Sequence, residues 1–483
     1  MYSYYKENKL LIVLGIFWII LWTSLNTFPP DLDYLKNLIF KYEYSKEFFT
    51  QTINLIRFYG PVIFTNILII ILILISKKYT HKFNILIIYF IFFLSQLIGL
   101  ILFDSHNFNL ERTFLVILAF NGIGIIYLAN LSLSIEQIKK FYFINLFFLF
   151  FIVLVYLPII YVDYFNSASK FLYNSQTWTG TFVDDPIIRV TGLSRVLALI
   201  SITLLIKLNE KLSKKIFLII FLLIVFCGIN IWGLQSRVTI FSSIIILFLN
   251  LIFFSKKILL KNILLGLLII FLSLSGFKII QETKLLYMEN NESNFEIDGV
   301  KVDILYKDRL DNKPNRINEV FERSKDLEID HNELTYITSA RNLIWKKIID
   351  SYDYKKIFGY GPQADRYVLL TKESGLLESG FMTNASSSLF YSFICGGYIG
   401  LVLFLAINIY VIFLLFNFLK MKNYHKKDSF YLNSLFLIII YTGMRSFFEN
   451  SHAVFSLDFL IFVSSVIIFN KLLGKKIKIS NQN

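Results

Sequence analysis

Apolar residues fall in long blocks along this chain, and short polar connections separate them. Runs of roughly twenty apolar residues recur, and a helix of that length crosses a hydrocarbon core of about 30 Å. The pattern therefore predicts an all-α protein, a polytopic bundle of about twelve transmembrane helices. The predicted segments are 10–28, 60–76, 83–103, 111–132, 141–161, 188–207, 215–234, 238–254, 262–281, 397–419, 430–447 and 452–470.

Composition supports a location in the bilayer. Hydrophobic residues make up 56% of the chain and charged residues 17%, with a mean hydropathy of +0.61. A soluble domain of this length does not reach such values. Lys6 and Lys9 resemble the basic start of a signal peptide, but the apolar run continues to Phe28 without a small-residue cleavage site. The first segment is expected to be a retained helix.

Lysines orient the bundle, because short cytoplasmic loops of membrane proteins collect basic residues. Clusters of lysine occupy every second connection and both termini, which predicts that both termini are cytoplasmic. The net charge of +14 comes largely from this lysine band. It therefore indicates topology and gives no support for nucleic acid as a partner.

One polar connection is much longer than the others and divides the chain. We expect an N-terminal transmembrane bundle of about nine helices at 1–281, a large extracytoplasmic loop at 282–385 and about three transmembrane helices at 386–483. Within the loop, helical spacing predicts an amphipathic helix over 341–349, capped by Thr338 or Ser339 and lying at the outer membrane surface.

The arginines all fall on the predicted outer side, and none lies in a lysine cluster. A guanidinium group is planar and permanently charged, and it binds phosphate oxygens in a bidentate manner. This segregation predicts a polyanionic ligand at the outer face. The eleven arginines are Arg57, Arg112, Arg189, Arg195, Arg237, Arg309, Arg316, Arg323, Arg341, Arg366 and Arg445.

Arg195 is the deepest of these side chains, about two turns into its predicted helix. A charge at that depth costs about 2–3 kcal/mol, so Arg195 needs a partner. The alternative to ligand binding is snorkelling to lipid headgroups, or an ion pair with Asp184, Asp185 or Glu449.

Metal and nucleotide chemistry find no support in the sequence. The five histidines are dispersed, and the two cysteines lie in apolar surroundings, so a zinc site is not predicted. Gly359-Tyr-Gly361 lacks the lysine and the preceding strand of a phosphate loop. We expect no metal and no cofactor.

Several short motifs occur in a characteristic order. Gln235-Ser236-Arg237 enters a membrane helix, and Gly192-Leu-Ser-Arg195 begins another. The long loop contains Arg341-x3-Trp345 and Gly359-Tyr-Gly361, and a segment from Ser386 to Gly400 ends in Gly-x-x-Gly. In order and sidedness these motifs resemble the O-antigen polymerase and O-antigen ligase family.

The resemblance implies a GT-C-like glycosyltransferase that uses undecaprenyl diphosphate-linked sugars without metal or nucleotide. Such an enzyme would act at the outer face of the bacterial cytoplasmic membrane. Flippase and chain-length regulator proteins are the expected partners. Arginines would stabilise the leaving diphosphate, and a carboxylate would accept the proton of the attacking hydroxyl. The candidate catalytic residues are Arg195, Arg237, Arg341 and Glu449, with Asp184 and Asp185 as further carboxylates. The candidate substrate-binding residues are Arg112, Arg189, Trp345, Asn384, Ser386 and Arg445.

One departure from the family pattern affects the choice of reaction. Ligases of this family usually carry a His-Asn pair where this chain has Asn384-Ala385-Ser386, and neither serine nor asparagine acts as a base near neutral pH. We therefore expect a polymerase of O-antigen, capsular or exopolysaccharide, with a ligase as the nearest alternative. A lipid-linked oligosaccharide flippase, whose polar site would lie near the midplane, and a structural subunit of an envelope assembly remain alternatives.

Overall fold

A computed structural model describes the chain in segments. The described residues are 67, 85–103, 120, 134–165, 172, 190–234, 236–254, 259–290, 296–297, 300–301, 341–350, 352–362, 364–365, 385, 387–420, 429–449 and 457–480. Helices dominate this part of the chain, which confirms the all-α class. Four of them are long and apolar enough to cross a membrane by length and composition, so this is a membrane protein.

The helices are α1 (Ile85–Phe103), α2 (Ile135–Phe165), α3 (Val190–Leu208), α4 (Lys214–Gly233), α5 (Arg237–Phe253), α6 (Leu259–Asn290), α7 (Arg341–Asp350), α8 (Ser388–Lys420), α9 (Ser429–Phe448) and α10 (Leu457–Ser480). Two short strands, β1 (Glu296–Ile297) and β2 (Val300–Lys301), pair antiparallel in the long polar connection.

Hydropathy located the helices well wherever the structure describes them. Each predicted apolar segment on the described residues coincides with a helix, although several helices are longer than predicted. Helices α6 and α10 run past their predicted ends at 281 and 470 to Asn290 and Ser480, and α2 and α8 begin before their predicted starts at 141 and 397. Segments 10–28, 60–76 and 111–132 lie outside the described residues, apart from single positions. The total of about twelve helices, the domain boundaries, the large loop as a whole and the cytoplasmic termini therefore stay predictions.

Helix α3 lies at the centre of the bundle. It packs against α2, α4, α5 and α9, and its apolar side chains are buried on every face, from Leu193 to Leu208. Neighbouring helices therefore enclose α3 on all sides. Because α3 is enclosed in this way, its one arginine, Arg195, is drawn into the interior of the bundle.

Helix α8 is broken near its start. Gly397 has φ 62° and ψ −156°, so Ser388–Gly396 forms a half-helix that precedes a long span from Tyr398 to Lys420. Only glycine adopts this conformation without strain. A Cβ at Gly397 would also lie 2.1 Å from the carbonyl oxygen of Ile357. The sequence predicted a re-entry helix ending in Gly-x-x-Gly, and the break falls at the first of these two glycines.

The residues that follow α7 fill this break. The amide groups of Tyr360 and Gly361 donate to the carbonyl oxygens of Ile394 and Cys395, each at 3.0 Å. These carbonyl groups end the half-helix and have lost their helical partners. This segment therefore replaces the missing helical hydrogen bonds. We call residues Tyr352–Pro362 the outer connection, because they belong to the loop that the sequence predicts to be extracytoplasmic.

Candidate functional site

Two of the predicted arginines meet at one carboxylate inside the bundle. Arg195 Nη1 lies 2.9 Å from Asp458 Oδ1, and Arg445 Nε lies 3.4 Å from Asp458 Oδ2. Arg445 and Asp458 are almost fully buried, with 1% and 2% of their surface exposed. The sequence correctly required a partner for Arg195, but that partner is Asp458, which was not among the carboxylates considered.

Thr239 ties a fourth helix, α5, to this ion-pair group. Its hydroxyl accepts a hydrogen bond from Arg445 Nη1 at 2.6 Å. The same oxygen lies 2.9 Å from Ser236 Oγ and 3.3 Å from Ser194 Oγ. We call Arg195, Thr239, Arg445 and Asp458 the Asp458 cluster. Two guanidinium groups share one carboxylate there, and Glu449 also lies close enough to act electrostatically on Arg445.

The members of the Asp458 cluster all lie near helix ends. Arg195 is in the second turn of α3, and Thr239 is in the first turn of α5. Arg445 is in the last turn of α9, and Asp458 is the second residue of α10. Since these helix ends meet through the contacts above, the cluster lies toward one face of the bundle and away from its middle.

Arg237 borders the cluster. It is the first residue of α5, directly after the tight turn that carries Ser236, and its side chain is exposed. Ser236 occupies the N-cap position, yet its hydroxyl contacts Thr239 instead of a backbone amide. The first turn of α5 is therefore oriented by the Asp458 cluster, and Arg237 is presented beside it with access to solvent.

The half-helix of α8 reaches the same region through Glu449. Ser388 Oγ donates to the carbonyl oxygen of Glu449 at 3.1 Å. Glu449 is the first residue beyond α9, four positions after Arg445. The N-terminus of the half-helix therefore lies beside the end of α9, the helix that carries Arg445, and this end of a helix favours anions.

A second arrangement holds the residue that precedes this half-helix. Trp345 Nε1 donates to the carbonyl oxygen of Ala385 at 2.9 Å, and Asp365 Oδ2 accepts from the Ala385 amide at 2.8 Å. We call Trp345, Asp365 and Ala385 the Ala385 clamp. The Trp345 ring also stacks on Phe390, with 5.0 Å between ring centroids. Because both polar groups of Ala385 are held, the backbone entering the half-helix has a fixed position.

Several predicted site residues lie where the structure gives no side-chain account. Arg112, Arg189, Asn384 and Ser386 lie outside the described residues, as do Asp184 and Asp185. Arg341 begins α7, but only its backbone is described. Asn384 and Ser386 flank Ala385 in the sequence, so the clamp fixes the residue between them. Their roles, and the approach of Arg341 to the Asp458 cluster, stay predictions.

Three important residues were missed by the sequence interpretation. Asp458 was hidden inside the apolar segment 452–470, although an ionisable residue in a membrane segment is itself a signal of function. Thr239 resembles an ordinary helix residue, and only the packing of α5 against α9 reveals its role. Asp365 follows the Gly359-Tyr-Gly361 motif in a polar loop, where its burial is not visible from sequence.

Comparison with known proteins supports the resemblance. A family model described as O-antigen ligase matches residues 222–405, which include the start of α5, α7, the outer connection and the break in α8. No curated protein and no solved structure matches the chain. The O-antigen polymerase and ligase resemblance is thereby confirmed, and the matched domain indicates an enzyme of glycosyltransferase or ligase type.

Proposed function

We propose, on the premise of an O-antigen ligase family domain at residues 222–405, that the protein polymerises lipid-linked glycan repeat units. The substrate would be an undecaprenyl diphosphate-linked oligosaccharide. The reaction would take place at the outer face of the bacterial cytoplasmic membrane, and flippase and chain-length regulator proteins would act beside it.

The Asp458 cluster is the observation that carries this proposal. Two guanidinium groups, that of the buried Arg445 and that of the largely buried Arg195, share one carboxylate at a helix-end position, and the exposed Arg237 lies next to them. A diphosphate that approaches from the membrane surface would meet Arg237 first and would lie near the N-terminus of the half-helix. Preorganised donors in a partly desolvated site stabilise the charge that develops on a leaving diphosphate.

In the proposed reaction, a hydroxyl oxygen of one repeat unit attacks the anomeric carbon of a second glycan. The bond from that carbon to the diphosphate oxygen breaks, and undecaprenyl diphosphate leaves with the electron pair. The hydroxyl proton passes to a base, for which Glu449 is the candidate because its backbone is held beside Ser388. Arg195 and Arg445 would hold the diphosphate region in place.

The nearest alternative is transfer of the glycan to a different acceptor. The description of the matching family model favours this ligase reaction. The absence of an imidazole in Asn384-Ala385-Ser386 favours the polymerase. We favour the polymerase because the sequence lacks a histidine at the position where the ligases of this family carry one.

A transporter is less well supported by the position of the polar groups. Transporter sites usually lie near the bilayer midplane, where helices are interrupted. Here the charged groups of the Asp458 cluster lie at helix ends. The one break in a described span, at Gly397, is filled by backbone of the outer connection. Both features are better suited to a reaction at the membrane surface.

Reconstitution with a lipid-linked repeat unit tests the proposal. Wild-type protein in vesicles is expected to produce a ladder of lipid-linked glycans, and Arg237→Ala is expected to reduce ladder formation by about 10²–10³-fold. Lys207→Ala is the control, because Lys207 lies at the opposite end of α3 in an exposed ion pair with Glu210. A normal ladder in Arg237→Ala would contradict the assigned site. Product that forms only after addition of a separate acceptor would identify a ligase.

A further inference from the structure

The outer connection carries exposed apolar side chains that the bundle does not cover. Tyr354 is 61% exposed and Ile357 is 53% exposed, although both lie in a segment whose backbone is held against α8. Tyr398, where the long span of α8 begins, is 39% exposed beside them. Apolar side chains grouped in this way indicate a contact surface.

We propose that the outer connection lies in the headgroup layer of the bilayer and anchors α7 at that depth. The occupant of the exposed surface is the same membrane that α8 crosses. This inference is independent of the reaction proposed above, because it concerns only where the connection lies relative to the lipid.

The hydrogen bonds across the break fix the depth of the connection. The amide of Ile399 donates to the carbonyl oxygen of Ile357 at 3.4 Å, and Tyr360 and Gly361 bond the end of the half-helix. Ile357 is therefore held level with the first turn of the long span. It cannot move away from that turn without exposing backbone groups that need partners.

The length of the span places that first turn at a membrane surface. From Tyr398 to Lys420 an α-helix rises about 33 Å, close to the thickness of a hydrocarbon core. Lys420 lies at one end of this span, where its amine can extend to the lipid headgroups. Tyr398 then lies at the opposite interface, and Ile357, bonded to the next residue, lies there as well.

The residue types fit an interface between lipid and water. Tyrosine is enriched at this depth because its ring is apolar and its hydroxyl is polar. Tyr352, Tyr360 and Phe393 pack together with Tyr398, and Lys356 Nζ lies 4.0 Å from the Tyr360 ring centroid. Burial raises the pKa of Tyr360 above its ordinary value. Its hydroxyl oxygen accepts a hydrogen bond from the Asp353 amide at 3.0 Å.

Helix α7 adds to the exposed apolar surface of the outer connection, and its depth in the membrane matters for the proposed reaction. Ile349, in its last turn, is 42% exposed, while Ile344 and Ile348 are buried against the half-helix. If the proposed function holds, α7 would present Arg341 at the depth of lipid headgroups. A lipid-linked diphosphate would then reach the site by lateral diffusion within the membrane.

Nitroxide labels attached to single cysteines measure this depth directly. The full chain would be labelled at Tyr354→Cys or Ile357→Cys and reconstituted in vesicles. The relaxation of each nitroxide would be measured with oxygen, which concentrates in lipid, and with a nickel chelate, which stays in water. Comparison of the two gives the accessibility of the label to each reagent. Ile409→Cys is the matched deep control, since Ile409 lies midway along the same span and is 60% exposed. Both native cysteines, Cys227 and Cys395, are fully buried, so unsubstituted protein reports the background labelling.

For both connection labels, we expect a ratio of oxygen accessibility to nickel accessibility that is lower than the ratio at the Ile409 label and higher than the ratio for a free water-soluble nitroxide. A ratio equal to that of the free nitroxide at both positions would overturn the proposal. So would protection from both reagents, which would indicate a protein partner or a second copy. The depth does not depend on activity. A protein that places both labels at the interface yet transfers no glycan would overturn only the proposed function.

Discussion

The Asp458 cluster and the outer connection are held in place by opposite kinds of interaction. The cluster depends on charged and hydroxyl side chains from four helices, buried in apolar surroundings. The outer connection depends on backbone hydrogen bonds to a broken helix, with aromatic rings packed around them. In the first region the identity of each side chain matters most, and in the second the absence of side chains at Gly359 and Gly397 does.

This difference predicts which substitutions each region tolerates. A buried ion pair that loses one partner leaves a charge without compensation, and the cost is large. A backbone contact is insensitive to most side-chain changes but does not admit a Cβ between the two chains. The two regions can therefore be separated by substitutions of different chemistry.

The largest effect is expected for Asp458→Ala, which removes the carboxylate that Arg195 and Arg445 share. Loss of one partner of a buried pair costs about 3–5 kcal/mol of unfolding free energy. Thermal unfolding in detergent would measure the loss. The matched control is Glu210→Ala, which breaks the exposed Lys207 pair and is expected to cost about 0–1 kcal/mol. Equal shifts in the two variants would show that the Asp458 cluster is not a buried ionic group.

A smaller effect is expected for Gly397→Ala. The backbone there is strained for any other residue, by about 1–3 kcal/mol, and a Cβ would collide with the Ile357 carbonyl oxygen. Unfolding temperature should fall, and limited proteolysis should cut the outer connection faster. Gly443→Ala in α9 serves as the control, because a Cβ there meets nothing within 4 Å. If both variants behave alike, the connection is not docked in the break.

The smallest effect is expected at the Ala385 clamp. Trp345→Phe keeps the ring stacked on Phe390 but removes the donor to Ala385, at a cost of about 0.5–1.5 kcal/mol. Asp365→Asn retains an acceptor for the Ala385 amide, whereas Asp365→Ala does not. We therefore expect near-normal glycan transfer in the asparagine variant and reduced transfer in the alanine variant. Equal loss in both would mean that the charge of Asp365 matters more than its hydrogen bond.

The sequence predicted the bundle helices because each has a long apolar run, which is a local property. It also predicted α7 and the re-entry helix, whose motifs are continuous in the chain. The contacts of the Asp458 cluster were less accessible, since Arg445 donates a hydrogen bond to Thr239 across 206 positions of sequence. Such contacts depend on which helices become neighbours, and no local pattern contains that information. The sequence also proposed the Glu449 carboxylate as a catalytic group, but the described hydrogen bond from Ser388 is to the backbone carbonyl oxygen of Glu449. Its role as a base therefore stays a prediction.

The break at Gly397 also decides how parts of this protein can be exchanged. The outer connection supplies hydrogen bonds that a continuous helix would make for itself, so the two segments complete each other. A chimera that replaces only the polar loop would leave carbonyl groups of the buried residues Ile394 and Cys395 without donors. The transplantable module therefore runs from α7 through the first turns of the long span, and a graft between related chains should carry that module whole.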